Sequence, residues 1–411
     1  MGDMTDSGDN PNDVKRENAE DTPQGPEPIR AADPGQPPEG AGFLGPRNRP
    51  REAQNPNLIC PPATDEGSVD NMRWSFADSH MRIQPGGWTH EVTTRELPSS
   101  TTIAGVNMRL EPGGVRELHW HKAAEWAFMT AGRARITAVD EAGRTFQDDV
   151  GPGDLWYFPS GIPHSIQGLG EEGTEFLLVF DDGNFSEENT FLLSDTLRHM
   201  PRDVLAKNFG WAPETLDSLP QEDLFIFRGP TPGPLDDDRI EGAGQVPNWF
   251  SFPLLAQEPQ RFDGGTIRIA DSNNFKASAR LAAAYIEIEP GAMREIHWHP
   301  NGDEWQYYLE GQARMTVFAA SANARTFDFQ AGDVGFAPFA TAHYVENTGL
   351  GMLRYLALFP SDHYEDVSLS QWLALTPHAL VAAHLNVDPR LIDTLPQDKR
   401  AIVRGRDKAR G

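Results

Sequence analysis

From about residue 81 onward, apolar and polar residues alternate in short runs broken by turn-forming residues. Examples are "TIAGVNMRLEPGG", "ARITAVDEAGR", "DLWYFPSGIPH" and "EFLLVFDDG". A period of two over five to eight residues places one face of each run in a core and the other toward solvent. Short strands at this spacing predict a β-sandwich or barrel. Two stretches break the pattern, "PRDVLAKNF" and "PHALVAAHL", and read as helical. Residues 1–27 carry almost no large apolar side chains and are rich in Asp, Glu, Pro and Gly. Such a segment cannot offset its ordering entropy, so a disordered acidic tail is expected there. Residues 28–80 stay loop-like and read as an N-terminal arm.

The alternating region is written twice. His119 and His121 recur as His297 and His299, 178 positions on. Glu125/Glu304, Gly132/Gly311, Gly153/Gly332, Pro159/Pro338, His164/His343 and Phe180/Phe359 then recur at 179. Beyond Phe180 the offset drops: Pro201 matches Pro377, and "DSLP" at 217–220 matches "DTLP" at 393–396, both at 176. The first copy therefore holds three extra residues between 181 and 200. Two similar β-domains, 81–235 and 236–411, each trailed by a helical segment, are the natural division.

Composition narrows the partners. The 411-residue chain is 38% hydrophobic and 23% charged, with a formal charge of −26, which argues against nucleic acid or an anionic membrane surface. No apolar run is long enough to cross a bilayer, and no secretory signal is visible, so cytoplasmic residence is the default expectation. The single cysteine, Cys60, rules out an intramolecular disulfide and has no His or second Cys nearby in sequence.

The repeated segment carries the chemistry. In "RELHWHKAAEW" and "REIHWHPNGDEW" two histidines stand two apart, so on a strand they leave the same face. Glu125 keeps that parity if the strand continues, whereas Glu304 lies one residue further and would need a bulge. His164 and His343 follow from a separate strand. Three imidazoles and one carboxylate inside a barrel suit a divalent ion, whether Mn, Fe, Ni or Zn, and no thiolate is present to favour zinc. A lone His-x-His is more often a packing feature, but two copies in register reverse that reading.

These residues resemble a known family. Gly113–Gly132 reads G-x5-H-x-H-x3-E-x6-G, and Gly291–Gly311 reads G-x5-H-x-H-x4-E-x6-G; both are similar to the first cupin motif. Gly153–His164 and Gly332–Asn347 resemble the second, with Gly168 where Asn is usual and Ala340 where Gly is usual. "DDVGPGDLWYFPSGIPHSIQ", "EFLLVFDDGNFSEENTF" and "AGDVGFAPFATAHYVEN" look more narrowly like the bicupin oxalate decarboxylases. The resemblance implies a mainly β fold of two tandem cupin barrels (double-stranded β-helix, jelly-roll). It implies Mn(II), two per chain, held by His119, His121, Glu125 and His164 and by His297, His299, Glu304 and His343. It further implies oxalate as substrate, cleaved to formate and CO2 with dioxygen as co-catalyst.

Splitting oxalate needs a metal, a cation beside the substrate and a mobile acid/base. An arginine fork matches a carboxylate, and the resemblance assigns substrate binding and polarisation to Arg116 and Arg294, with Arg116 also a catalytic residue. By strict strand alternation both would face away from the histidines, so inward aim requires a backbone bend after "EPGG" and "EPGA". The family's lid reads Ser-Glu-Asn-Ser-Thr; residues 186–190 here read Ser-Glu-Glu-Asn-Thr, which makes Glu187 the expected proton donor. Glu188 and Asn189 depart from the pattern and open the question of oxidation to CO2 and hydrogen peroxide. The second copy has Ala357, in "YLALF", where the family has a glutamate near its second metal. The N-terminal site is therefore the expected centre of turnover. Trp120, Trp126, Trp298 and Trp305 read as packing residues. The resemblance also implies a homo-oligomer, trimer or hexamer, with "SQWLALTPHALVAAHL" as the exchanged helical segment. The alternatives are an oxalate oxidase and a non-catalytic bicupin.

Overall fold

A computed structural model describes residues 48–405. The expected acidic tail and the first part of the arm lie outside the described residues. Each repeat folds as an antiparallel β-barrel, and short helices follow each one. In the first barrel the strands Glu125–Val139 and His164–Phe180 pair along nearly their whole length, from Glu125 opposite Phe180 to Ala138 opposite His164. They bend sharply at Gly132, whose φ is +71°; a Cβ there would lie 2.0 Å from the Gly173 carbonyl oxygen. Only glycine fits such a corner. In the second barrel the same corner, at Gly311, separates Glu304–Glu310 from Gln312–Phe318.

The barrels share one core. Trp126, Trp156, Phe158, Phe176, Trp305 and Tyr308 are completely buried. Each such side chain contributes about 1.5–3 kcal/mol by leaving water, which makes the core the main stabilising force. Trp305 of the second barrel presses against Gly105 of the first, where a Cβ would lie 2.5 Å from the indole. Phe128 and Tyr285 stack between the barrels at 6.0 Å. Trp120 and Trp298, by contrast, are half-buried on the outside. They pack on Phe191 (5.6 Å) and Trp372 (5.8 Å) of the segments that follow each barrel.

The segment leading into each barrel is built onto the other. Arg73–Ser75 pairs with Asp333–Ala337 of the second barrel, Arg73 opposite Gly335. Ser251–Phe252 pairs with Leu155–Phe158 of the first, Ser251 opposite Trp156. The arm continues this contact: the Asn57 backbone N–H donates to Asp328 (3.0 Å), and Thr326 donates through its N–H to Asp65 (3.0 Å).

The two helical stretches appear as Arg202–Phe209 and His378–Leu385, ending at Gly210 and Asn386 in the left-handed conformation that closes helices. The chain then returns as Ile226–Arg228 and Ile402–Arg404 to pair with Gly114–Trp120 and Ala292–Trp298. That return brings the Phe225 and Ala401 carbonyls to the two arginines. No helix among the described residues is long and apolar enough to cross a membrane.

Candidate metal centres

Three ligands of each site stand on three strands, and His121 and His299 lie just past the end of the first of these. On Gly114–Trp120, Arg116 pairs with Ile166 but His119 pairs with His164, so three steps on one strand face two on the other. That β-bulge flips the parity between them and turns the buried Arg116 to the same side as the histidines. The same bulge separates Arg294, opposite Val345, from His297, opposite His343. Strict alternation thus gave the wrong direction for both arginines. The bend lies after each arginine, not after the Glu-Pro-Gly turn.

The glutamates also reach the site by another route. The strand does not run on: it stops at Trp120, the chain turns, and Glu125 opens the next strand opposite Phe158 and Phe180. In the second barrel the additional residue falls in the turn between Trp298 and Glu304, so no bulge is required there.

His119, His121, Glu125 and His164 are all buried, and each offers a ligand atom within 4.8 Å of the others; His297, His299, Glu304 and His343 form the same group. Every imidazole is oriented through Nδ1 by a backbone carbonyl. The acceptors are Glu117 (2.5 Å), Ala123 (2.7 Å) and Ile162 (2.8 Å) in the first site. In the second they are Glu295 (2.7 Å), Glu365 (2.7 Å) and Thr341 (2.9 Å). A carbonyl can only accept, so Nδ1 carries the proton and Nε2 turns a lone pair inward.

Those lone pairs face a carboxylate. His121 and His164 Nε2 lie 3.2 and 3.4 Å from Glu125 Oε2, and His299 and His343 Nε2 lie 3.0 and 2.7 Å from Glu304 Oε2. Lone pairs opposed at about 3 Å need a cation between them, and bonds of about 2.1 Å to one ion span such an edge. His164 Nε2 is buried with no hydrogen-bond partner. Burial, the adjacent arginine and the neighbouring imidazoles push His119 and His297 well below the usual histidine range. Burial raises Glu125 and Glu304, but the imidazoles reverse this and hold both below the carboxylate range. Neutral imidazoles and an ionised carboxylate are the forms a divalent ion binds, so the residues fit a metal.

Different residues hold the two glutamates from behind. Trp156 Nε1 donates to Glu125 Oε1 at 2.9 Å, with Ala127 opposite Trp156 across the strand pair. In the second barrel Gln306 Nε2 donates to Glu304 Oε1 at 3.0 Å, Tyr308 donates to Gln306 at 2.7 Å, and Gly335 is opposite Gln306. A Cβ at Gly335 would sit 2.5 Å from the Gln306 oxygen, so the bulky partner can stand on one strand only. The sequence reading missed both residues; the swapped sizes at Ala127/Gln306 and Trp156/Gly335 were the available signal.

The arginines differ more. Arg116 donates to the Phe225 carbonyl (3.2 Å) and lies 4.1 Å over the Phe225 ring, which Arg82 also covers at 3.5 Å. Phe225 holds an unusual φ of +47° to present both groups. Among the described residues Arg116 makes no salt bridge. Burial lowers its pKa to about 10, and the charges of Glu187, Glu125 and Glu117 offset only part of this. Arg294 donates to the Ala401 carbonyl (2.9 Å), to the Tyr364 hydroxyl (3.0 Å) and to Asp366, which also receives Lys399. Burial acts on Arg294 too, yet Tyr364 and Asp366 raise it above its ordinary value.

The three extra residues of the first copy lie between Phe180 and Leu192, where the second copy runs from Phe359 to Ser368. They form a lid over the first site. Phe185 stacks on Phe180 at 3.5 Å and edges onto His121 at 5.7 Å. A short 3-10 turn, Glu187–Asn189, buries Glu187 and leaves Glu188 and Asn189 in solvent. Thr89 Oγ1 donates to Glu187 Oε2 (2.6 Å), and the Glu187 backbone N–H donates to Glu91 (2.8 Å). Glu187 Oε1 and the Thr190 hydroxyl are buried without partners. Burial raises Glu187 to about 7, with Arg116 opposing and Glu91 adding to the rise. In the second barrel Ala357 is fully buried opposite Gln306 and brings no carboxyl group.

Barrels of this topology, each converging three imidazoles and one carboxylate, define a metal-binding bicupin. The cupin profile matches residues 76–217 and 253–393. Oxalate decarboxylase OxdC of Bacillus subtilis (strain 168) is 56% identical over 380 residues, 92% of this chain and 97% of that protein. A probable oxalate decarboxylase of Arthroderma benhamiae is 44% identical over 382 residues, 90% of this chain and 93% of that protein. A structure of the Bacillus subtilis enzyme, from work on its Mn(II) centres, superposes with a TM-score of 0.87 over 89% of this chain and 97% of that one, at 56% identity. The chain belongs to the cupin family, in its bicupin oxalate decarboxylase branch.

Proposed function

We propose that this protein decarboxylates oxalate to formate and CO2, with Mn(II) in both centres, and that turnover takes place in the first barrel. The observation that carries the assignment is the pairing of Arg116 and Glu187. Both are buried, Arg116 next to the His119 ligand and Glu187 in the lid within electrostatic reach of Arg116, and both keep hydrogen-bonding capacity that no group among the described residues uses. Manganese held by His119, His121, Glu125 and His164, together with dioxygen, would supply the one-electron chemistry that makes the carbon–carbon bond of oxalate easy to break.

The protein's own part is electrostatic and positional. Arg116 would receive one carboxylate of oxalate through its free N–H groups, in a site dry enough to strengthen the pairing. The lid, with Phe185 packed on Phe180, excludes water from the reacting carbon. Glu187, raised to about 7 by burial and so largely neutral below that pH, would give its proton to the carbon that loses CO2, which yields formate. Net, oxalate and one proton become formate and CO2, and no electrons are gained or lost. Glu188 and Asn189, where the lid departs from the family pattern, are exposed to solvent, which supports leaving the acid/base role with the buried Glu187.

Assembly is part of the proposal. Trp372, Leu375, Leu380 and Leu385 are exposed on the helices that trail the second barrel, and a homo-oligomer would cover them. Metal analysis combined with an oxalate assay that scores formate and hydrogen peroxide tests the whole reading. Close to two manganese per chain and formate equal to CO2 are expected. Peroxide in place of formate would transfer the assignment to an oxidase.

A further inference from the structure

The two barrels can be compared position by position where the lid rejoins the barrel. Leu192 pairs with His119, and Ser368 pairs with His297. Two residues back from each stand Thr190 and Asp366. The first barrel thus places a neutral hydroxyl, buried and without a partner, where the second places a carboxylate. A second exchange accompanies the first. Counting from the shared Asp-x-Leu-Pro segments, Lys399 of the second barrel matches Asp223 of the first. Lys399 holds Asp366, both at its side chain and at its backbone carbonyl (2.7 Å), whereas Asp223 pairs with Arg198 at the surface. So the carboxylate and the lysine that clamps it are present together in one barrel and missing together in the other.

A buried guanidinium needs an anion, because its desolvation is offset only by a partner in contact. Among the described residues Arg116 has no such partner; Arg294 has Asp366, with the Tyr364 hydroxyl beside it. We infer that Asp366 takes the place of a substrate carboxylate on Arg294 and so closes the second barrel to oxalate, leaving that centre to hold metal without receiving substrate. A carboxylate tethered to the site has an effective concentration far above that of free oxalate, so competition by substrate is ineffective. The pKa directions agree: burial raises Asp366, but Arg294 and Lys399 outweigh it and keep the carboxylate ionised.

The inference rests on the reading that the arginines are there to receive carboxylates, and its test is separate from turnover. In manganese-loaded Asp366→Ala, unfolding is followed in formate and in chloride at equal ionic strength, with the wild-type protein run alongside. The variant should lose about 5 °C or more in chloride, because an unpaired buried cation is left behind. Formate should restore most of that loss, and more than it adds to wild type. Recovery no larger than the wild-type response would overturn the inference and would leave the assignment of the first barrel untouched. Should Asp366→Ala not fold, the transplant decides: Thr190→Asp with Asp223→Lys in the first barrel should raise the KM for oxalate at least tenfold with metal content unchanged. An unchanged KM in that variant would equally sink the idea.

Discussion

The two metal centres differ least in what grips the metal and most in what would meet a substrate. Both present three imidazoles oriented by backbone carbonyls, a carboxylate on the next strand, and a bulge that turns an arginine inward. Around these constant parts the first barrel has a longer lid with a buried Glu187, an arginine left uncommitted, and an aromatic ring beneath it. The second has a shorter connection, an arginine committed to Asp366, and Ala401 where the first has the Phe225 ring. On the proposed reading, holding a metal and using it are separable properties of one barrel, set by different residues.

The sharpest break of that comparison is Glu187→Ala. Without the proton donor, formate production should fall at least about 100-fold while manganese content holds. Formate output near the wild-type rate would end the assignment of the first barrel. Next come the paired arginine variants. Arg116→Ala should cost about 100-fold in kcat/KM for oxalate, whereas Arg294→Ala should leave KM unchanged and lower the melting temperature, since it leaves the buried Asp366 with Lys399 as its one remaining charge partner among the described residues. Equal kinetic losses in both would mean that both barrels take substrate. His299→Ala should reduce bound manganese toward one per chain, by elemental analysis, with formate production persisting in the first barrel.

A subtler pair of effects concerns pH. Burial favours the neutral form of Glu187, so the stability it lends the closed lid is complete below about 4.5 and is lost as pH climbs through about 7. Decarboxylation should decline over the same alkaline range in a pH–rate profile. Thr89→Val removes a hydrogen bond that favours the carboxylate, so the midpoint should move upward; a downward move would contradict the lid geometry. The smallest effect is expected at Ala340, which holds φ at +58° where its counterpart Gly161 sits at +77°. Ala340→Gly should stabilise the second barrel by about 1 kcal/mol in a denaturant titration, with no change in turnover.

Much of the metal chemistry was legible because it is local and duplicated. His119, His121, Glu125 and His164 recur in register, and a shift of three in the offset marked the lid that holds Glu187. What escaped is what alternation and spacing cannot carry. A bulge such as the one after Arg116 changes parity without changing composition, so alternation alone points the arginines outward and only the family resemblance turned them toward the site. Glu125 and Glu304 open the next strand after a turn past Trp120 and Trp298, which strand parity by itself does not reveal. Trp156, Gln306, Thr89 and Asp366 meet the site from distant strands or from the lid, and only a position-by-position contrast between the copies hinted at Gln306 and Asp366.

The exchanged leading strands bear on whether either half of this duplication can be dissected from the other. Ser251 hydrogen-bonds along Trp156, the residue that braces Glu125, and Arg73 runs beside Gly335, the gap that admits Gln306 behind Glu304. Each metal cradle is therefore shored up by chain that belongs, in sequence order, to its twin's approach. Cut at the midpoint, the polypeptide would yield two fragments, each with a raw sheet margin directly behind its glutamate ligand. The duplicated protein is a mutual scaffold.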